Sequence, residues 1–459
     1  MVDEIEKAVN GYNFKILSLP HSHIHNLQMT WAYPAYVEKF TSCGTKIYIS
    51  ATIFNSLDIF HVAVPWLLLN KISFKIITSN HLLKQINDNL FGYLHSGKFI
   101  TIFPSDHFEL IKIMQSLYVM LGKYKSIPIP LKERFKEKSI VYHDFNYPAS
   151  SSNRPLDEEK KTLGTGWGNR EKKKILKKEG LFLGKFILLE IVRQRARGGT
   201  YLALEVLQNQ RTCRKVFVKE ARDFGEIELS GVDAVDRLHW QFKMLNLLNK
   251  YKITPKAFEI IREKNVSFLI MEYLPGESLR KKIIEGRGDF SNQFIKDTII
   301  KIAKHIKKMH DKQMYFLELC PDNIMLLPGG DVKLIDFDLC YAKGAPEFVG
   351  WENGTPGFFP NLDLLRSSGE EEKRWGLLRD IFALGSIYFS LLFPHWYKEL
   401  FKGVKMENSE KVKIGLIHLL PENLQIFFKK TFLIGEKFEK VSDFVDVMMS
   451  DKRVLLNNK

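Results

Sequence analysis

Asn323 and Asp336 stand at the two ends of a short segment that reads as a β-hairpin. Apolar runs Ile324–Leu327 and Val332–Ile335 enclose Pro328-Gly329-Gly330-Asp331, residue types that favour a tight reversal. With the midpoint between Gly329 and Gly330, Asn323 and Asp336 are equidistant from the turn and are expected to face each other across its open end. An amide oxygen beside a carboxylate suits Mg²⁺, which takes oxygen ligands and keeps contacts to substrate phosphates. Glu318, a short way before Asn323, brings a third oxygen-bearing group to the same place. Together these residues point to cation-assisted chemistry on a phosphate-bearing substrate.

Such a site needs elements to hold it, and the flanking sequence supplies them. Phe186–Val192, Thr200–Glu205 and Lys215–Lys219 read as strands, with Arg197-Gly198-Gly199 as a phosphate-covering turn between the first two. Backbone amides around Gly198 and Gly199 can approach phosphate oxygens. Ala234–Leu248 has helical periodicity, and Ser267–Tyr273 reads as a further strand. Nearer the N-terminus, Lys46–Ser50, Phe74–Ile77 and Lys98–Phe103 are strand candidates, with helices over 57–69 and 106–121. The expected fold class is α+β. The expected division is a domain over 1–146, a linker over 147–180 rich in Pro, Ser, Gly and charge, and a second domain over 181–459.

The offsets of Glu318, Asn323 and Asp336 resemble the catalytic and metal-binding loops of protein kinases, where an Asp, an Asn and a second Asp occupy these places. This resemblance implies ATP and Mg²⁺, with Asn323 and Asp336 as metal ligands and Glu318 as the substrate-orienting base on a longer arm than aspartate. Phe316-Leu317 stands where His-Arg is expected, and Asp338 can add a metal contact or serve as a turn residue. Lys219 matches the third-strand lysine that contacts the α- and β-phosphates, and Gln241 falls where its acidic partner is expected. Met271 takes the gatekeeper position, with Glu272 and Leu274 offering backbone groups to adenine. Gly354–Phe358 resembles the end of an activation region, and Asp380 in the helix Asp380–Gly385 a structural anchor of the catalytic loop.

The first domain is similar to the lyase domain of class III and class IV lanthipeptide synthetases, most specifically in the phrase Tyr93-Leu94-His95-Ser96-Gly97-Lys98-Phe99-Ile100-Thr101-Ile102-Phe103-Pro104. In that family a lysine removes the α-proton of phosphoserine or phosphothreonine, a histidine protonates the departing phosphate, and cations hold it. Lys75 matches the base, and Lys46 and Lys98 keep cationic positions. Tyr48 stands where the histidine is expected, and Tyr93 and His143 where arginines are expected, so two bidentate phosphate clamps are missing.

The implied function is Mg·ATP-dependent Ser/Thr phosphorylation of a ribosomally made precursor peptide, leader plus Ser/Thr-containing core, with a weak or degenerate lyase domain. The alternative is an impaired paralogue that binds nucleotide or peptide and supports an active partner. No cyclase domain is expected after the kinase-like part, so a separate cyclase or active synthetase is an expected partner.

Composition excludes other classes. The 459 residues are 45% hydrophobic, enough to bury ordinary cores. Four cysteines lack CxxC spacing, which indicates neither zinc nor a disulfide framework. A net charge of +15 comes without a nucleic-acid-binding motif, so phosphate or acidic peptide ligands are preferred to nucleic acid. No signal segment is visible, and Phe60–Leu69 and Ile381–Phe393 fall short of the roughly 20 residues of a membrane span. A cytoplasmic protein is expected, of oligomeric state not fixed by sequence.

Overall fold

A computed structural model of the protein describes residues 3–20, 28–144, 181–207, 212–286, 290–346, 354–360, 362–367, 372–400, 406–433 and 436–450. The expected linker, 147–180, lies outside them. The architecture is α+β, as expected. The chain packs into two compact units, one of Met1–Asp236 with Ile261–Phe268, the other of Arg237–Ile260 with Leu269–Lys459.

The first unit is built on a seven-stranded sheet of order β1-β2-β4-β5-β3-β7-β6. Its strands are β1 Phe14–Pro20, β2 Gln28–Pro34, β3 Ile47–Ile49, β4 Ser73–Ile77, β5 Ile100–Phe103, β6 Glu133–Arg134 and β7 Val141–His143. All its pairings are antiparallel. Helices α1 Glu4–Asn10, α2 Ser56–Leu69, α3 Asn80–Asn87 and α4 His107–Leu121 accompany it. The caps explain where two of them start: Ser79 accepts from the Leu82 N–H, and Asp106 from the Glu109 N–H. Ile47, Ile49, Phe74, Ile76, Ile100 and Ile102 share one core with Phe60 and Leu67 of α2 and Ile113 and Leu117 of α4.

Because side chains alternate across a strand, Tyr48, Lys75 and Thr101 point to the opposite face of that sheet. Thr101 pairs with Lys75 on one side and Tyr48 on the other, Tyr48 pairs with Tyr142, and Tyr142 with Arg134. These pairings draw one row, Lys75-Thr101-Tyr48-Tyr142-Arg134, across β4, β5, β3, β7 and β6.

The same unit contains three long antiparallel strands, β8 Phe186–Arg195, β9 Gly198–Leu207 and β10 Thr212–Arg222. Strands β11 Ala257–Glu263 and β12 Val266–Glu272 follow, and the tip of their hairpin, Ile261–Phe268, belongs to this unit; the sheet order is β11-β12-β10-β9-β8. Arg262 pairs there with Asp223 at 2.6 Å.

The second unit is mainly helical. It comprises most of α5 Ala234–Leu248, then α6 Leu279–Glu285, α7 Asn292–His310, α8 Leu362–Ser367, α9 Glu372–Leu392, α10 Pro394–Leu400, α11 Met406–Ile417, α12 Glu422–Thr431 and α13 Val441–Ser450. Its small sheet, of order β13-β14-β15, is made of Glu277–Ser278, Ile324–Leu326 and Val332–Leu334. In α7, Ile295, Ile299, Ile302, Ile306 and Met309 recur at helical spacing and are buried, while Ser291 caps its N-terminus. In α9, Arg374–Leu392 is long and apolar enough to cross a membrane, longer than the sequence run suggested; 83% of that window is buried within the protein, as in a core helix. Gly385 makes its close packing feasible: a Cβ there would lie 1.9 Å from Thr431 Cγ2 of α12.

Candidate active site

In the second unit, the segment from Tyr315 to Asp338 is held before it is charged. Asp380, wholly buried on α9, accepts from the backbone N–H of Phe316 at 2.9 Å and of Leu317 at 2.8 Å, and its Oδ2 lies 2.8 Å from His310 Nε2. The adjacent Arg379, 1% exposed, donates to the Leu317 carbonyl at 3.1 Å. Burial pulls this guanidinium down to about 10 against the opposing charges of Asp380 and Glu318. Leu317 takes a left-handed φ of 64°, which delivers Glu318 from this clamp. The Asn323 amide nitrogen then donates to the Glu318 carbonyl at 2.9 Å, so the peptide of Glu318 is fixed on both sides.

The hairpin forms, with a register different from the one expected. Leu326 pairs with Val332 and Ile324 with Leu334, and the Leu327 N–H reaches the Asp331 carbonyl at 2.9 Å. The loop is therefore odd-membered, with Gly329 rather than a peptide bond at its centre, and Asn323 faces Ile335, whose N–H donates to the Asn323 carbonyl at 2.9 Å. Asp336 is not the cross-strand partner of Asn323; it leaves the ladder with φ 65°. Glu318, Asp336 and Asp338 nonetheless converge, each offering a carboxylate oxygen within 4.8 Å of the others. Three carboxylates so close repel one another, and a divalent cation would relieve that repulsion; their oxygens are hard donors of the kind Mg²⁺ takes.

Other residues of this unit support the segment. The Trp240 indole on α5 donates to the Cys340 carbonyl at 2.7 Å, two residues past Asp338, and Gln241 beside it is 2% exposed. The Glu272 N–H is committed to the Lys256 carbonyl at 2.8 Å and its carboxylate to Lys333 at 2.8 Å, so the group it can offer a base is its carbonyl. Leu274 follows it, 8% exposed. Burial pushes the Cys320 thiol up to about 12, which removes it from nucleophilic chemistry.

In the first unit, Lys219 on β10 pairs with Thr200. The expected turn Arg197-Gly198-Gly199 is corrected: Gly198 and Gly199 lie in the β8–β9 ladder opposite Arg195 and Gln194, and the turn is Ala196-Arg197. The glycine at 198 has a local cause: φ is 151°, and a Cβ would lie 2.0 Å from the Glu220 carbonyl.

The amino-terminal row is strongly cationic. Lys75 is 4% exposed, with its Nζ 4.0 Å from the Trp31 ring centroid. The Tyr48 hydroxyl donates to Asp144 at 3.1 Å, and Lys98 and Lys132 lie 4.9 and 5.0 Å from its ring. Lys132 is ion-paired with Asp144, and the Lys46 N–H donates to the other carboxylate oxygen at 2.9 Å. Burial alone would raise the Asp144 carboxyl, but Lys132, the Lys46 N–H and the Tyr48 hydroxyl together carry it below the usual carboxylate range. Arg134 donates to the Tyr142 hydroxyl at 2.6 Å.

Sequence reading missed Lys132, Arg134, Tyr142 and Asp144, of which Arg134 and Tyr142 join this face through strand pairing and Lys132 and Asp144 through side-chain contacts at Tyr48, and none carries a local pattern of its own. Arg134 thus brings to the row a guanidinium that the phrase-by-phrase comparison did not supply. Tyr93 is elsewhere: its hydroxyl is 3.2 Å from Arg222 Nη1, so an arginine at 93 would meet another guanidinium.

Residues 196–453, more than half of the chain, match the protein kinase domain family, and residues 18–165 match the RamC N-terminal domain. A probable SapB synthase of Streptomyces coelicolor is 23% identical over 389 residues, 76% of this chain and 40% of that protein. A putative serine/threonine-protein kinase, PRKY, of Homo sapiens is 30% identical over 176 residues, 38% of this chain and 58% of that protein. Aurora kinase of Saccharomyces cerevisiae is 26% identical over 216 residues, 46% of this chain and 50% of that protein. The chain thus spans under two thirds of the length of each of these relatives. It belongs to the protein kinase family, and its RamC-type domain ahead of the kinase domain gives it the architecture of class III and class IV lanthipeptide synthetases.

Proposed function

We propose that the protein transfers the terminal phosphoryl group of ATP, with Mg²⁺, to Ser or Thr in the core of a ribosomally made precursor peptide, in the cytoplasm. The observation that carries this reading is the convergence of Glu318, Asp336 and Asp338 on a segment anchored by Asp380, with Asn323 tied to the Glu318 carbonyl. Glu318 orients the substrate hydroxyl and accepts its proton. Asn323, Asp336 and Asp338 hold the cation, which when bound neutralises charge on the transferring phosphate. Lys219 binds the α- and β-phosphates, Gly198 and Gly199 keep backbone close to them, and Glu272 and Leu274 present backbone groups to adenine. Gln241 supplies an amide where kinases have a carboxylate, which cannot neutralise Lys219.

The amino-terminal domain, in this reading, binds the phosphorylated peptide on the Lys46, Lys75, Lys98 and Lys132 face and eliminates phosphate slowly. Lys75 takes the α-proton, while Tyr48, a phenol already bonded to Asp144, is a poor donor to the leaving group at neutral pH. A cyclase or an active synthetase then acts in trans. The short β8–β9 turn and the glutamate at 318 favour a second reading, a protein that captures nucleotide or peptide for an active partner.

The test is incubation with Mg·ATP and a candidate precursor peptide, followed by mass analysis, beside melting curves. Phosphopeptide formation and a metal-dependent rise in melting temperature that Asp336→Asn removes are the expected results. A nucleotide-induced rise without phosphorylation selects the second reading, and no rise at millimolar ATP refutes both nucleotide readings.

A further inference from the structure

Within the first unit, the amino-terminal domain and the strands around the β8–β9 turn share a buried polar network. Val218, Glu220 and Arg222 alternate with Lys219 along β10, so they project from the sheet face opposite that lysine. Tyr201 pairs with Val218 and shares that face. There Arg222 Nε donates to Glu220 Oε1 at 2.6 Å, and the Tyr201 hydroxyl donates to the other Glu220 oxygen. Tyr201 has one hydroxyl hydrogen and Glu220 takes it, so the Gln194 amide must face Tyr201 with its nitrogen, at 3.3 Å. Its oxygen then accepts from Arg222 Nη2 at 2.8 Å. Tyr201 and Glu220 are 6% and 8% exposed. Tyr93, from the amino-terminal domain, completes the network: its hydroxyl accepts from Arg222 at 3.2 Å and lies 3.5 Å from the Gln194 amide, and its ring centroid is 5.4 Å from the guanidinium.

This network grips the turn. Gln194 sits opposite Gly199, and the Arg222 N–H donates to the Arg197 carbonyl at 2.8 Å. A second path runs from α3: Lys84 pairs with Asp88 at 2.7 Å and Glu228 at 3.6 Å, while Arg197, at the tip of the turn, pairs with Glu226 at 3.3 Å. The turn is thus held from both ends by groups that connect to the amino-terminal domain.

We propose that Tyr93 makes the amino-terminal domain a positioning element for the kinase: through Arg222, Glu220, Tyr201 and Gln194 it holds the Ala196–Gly199 turn in the conformation that binds the phosphates of ATP. The proposal rests on the kinase reading for the ligand of the turn, but not for the mechanical link. Tyr93→Ala removes both ring and hydroxyl, whereas Tyr93→Phe keeps the ring under the guanidinium. Tyr93 does not touch the reacting atoms, so the effect falls on nucleotide binding rather than on chemistry.

In the chain of residues 1–459, amide hydrogen exchange over 194–201 is expected to rise about tenfold in Tyr93→Ala and less in Tyr93→Phe, the loss of a charge-assisted bond. The KM and Kd for Mg·ATP should rise by a similar factor, with kcat within about twofold. Phe108→Ser, at an exposed site on α4, serves as the control and should change none of these. Unchanged exchange in both Tyr93 variants overturns the link. Faster exchange with unchanged ATP affinity overturns the positioning role. Wild-type protein that binds no ATP fails the kinase reading itself, an outcome visible before any variant is made, and with it the nucleotide role of the turn.

Discussion

At the scale of single residues, the site combines side chains and an Asp380 anchor that the sequence named with an Arg379 clamp that it did not. Glu318 replaces an aspartate and so carries its carboxylate farther from a backbone fixed by Asp380, Arg379 and Asn323. A displacement of about 1 Å in a reacting group costs roughly 10²-fold in rate. Glu318→Gln is accordingly expected to lower peptide phosphorylation by about 10²-fold or more, while Glu318→Asp raises it if arm length limits turnover. Rates equal to wild type in both variants would remove Glu318 from the mechanism. Asp144 offers a pH test. Its folded carboxyl lies below the usual range, so the stability it contributes is present above the unfolded carboxylate value near 4 and lost as pH falls through the lower folded value. In acid unfolding followed by circular dichroism, Asp144→Asn should be less stable than wild type at pH 7, and the gap should close as pH falls through the lowered folded value. A gap that widens on acidification would contradict this sign.

At the scale of elements, most boundaries were legible. The helix over Ala234–Leu248, the strands around Tyr48, Lys75 and Thr101, and the hairpin at Gly329 all stand where hydrophobic period and turn residues put them. Their periods survive because each element buries one face. Register was less legible. Counting Leu327 as strand, when it lies in the turn, shifted the expected partner of Asn323 by one residue, and a single-residue shift exchanges the faces of a strand. Helix contacts were invisible as well. Gly385 reads as a blemish in an apolar helix, yet it is the point where α12 approaches α9. Gly385→Ala should destabilise the protein by about 1–3 kcal/mol through overpacking, seen as a lower melting temperature. An unchanged or raised melting temperature would mean that Thr431 can move aside.

At the scale of the whole molecule, the order of the two families is written in the chain, and their activities are to be read from sites rather than from fold. A phosphoserine peptide matching the precursor should bind the cationic face in low salt and lose phosphoric acid slowly. Tyr48→His should speed that loss, by about 10-fold or more if the proton donor limits it, and Lys75→Ala should abolish it. Rapid elimination by wild type would make the protein fully bifunctional. Sequence alone determined the fold class and the helix that carries Asp380, because each lies in a local pattern of period or spacing, and it singled out Glu318, Asn323, Asp336, Lys219 and Lys75 as candidates by their match to family motifs. Tertiary structure alone decided that Asp338 joins Glu318 and Asp336, that Arg379 adds its guanidinium to the Asp380 clamp ahead of Glu318, that Arg134 stands on the row with Tyr48, and that Lys132 and Asp144 gather around the Tyr48 side chain. It also decided that Tyr93, which the family resemblance puts where a phosphate-clamping arginine is expected, rests against Arg222. The physical reason is the same in each case: these contacts join residues far apart in the chain, so strand pairing and packing select them and no local period records them.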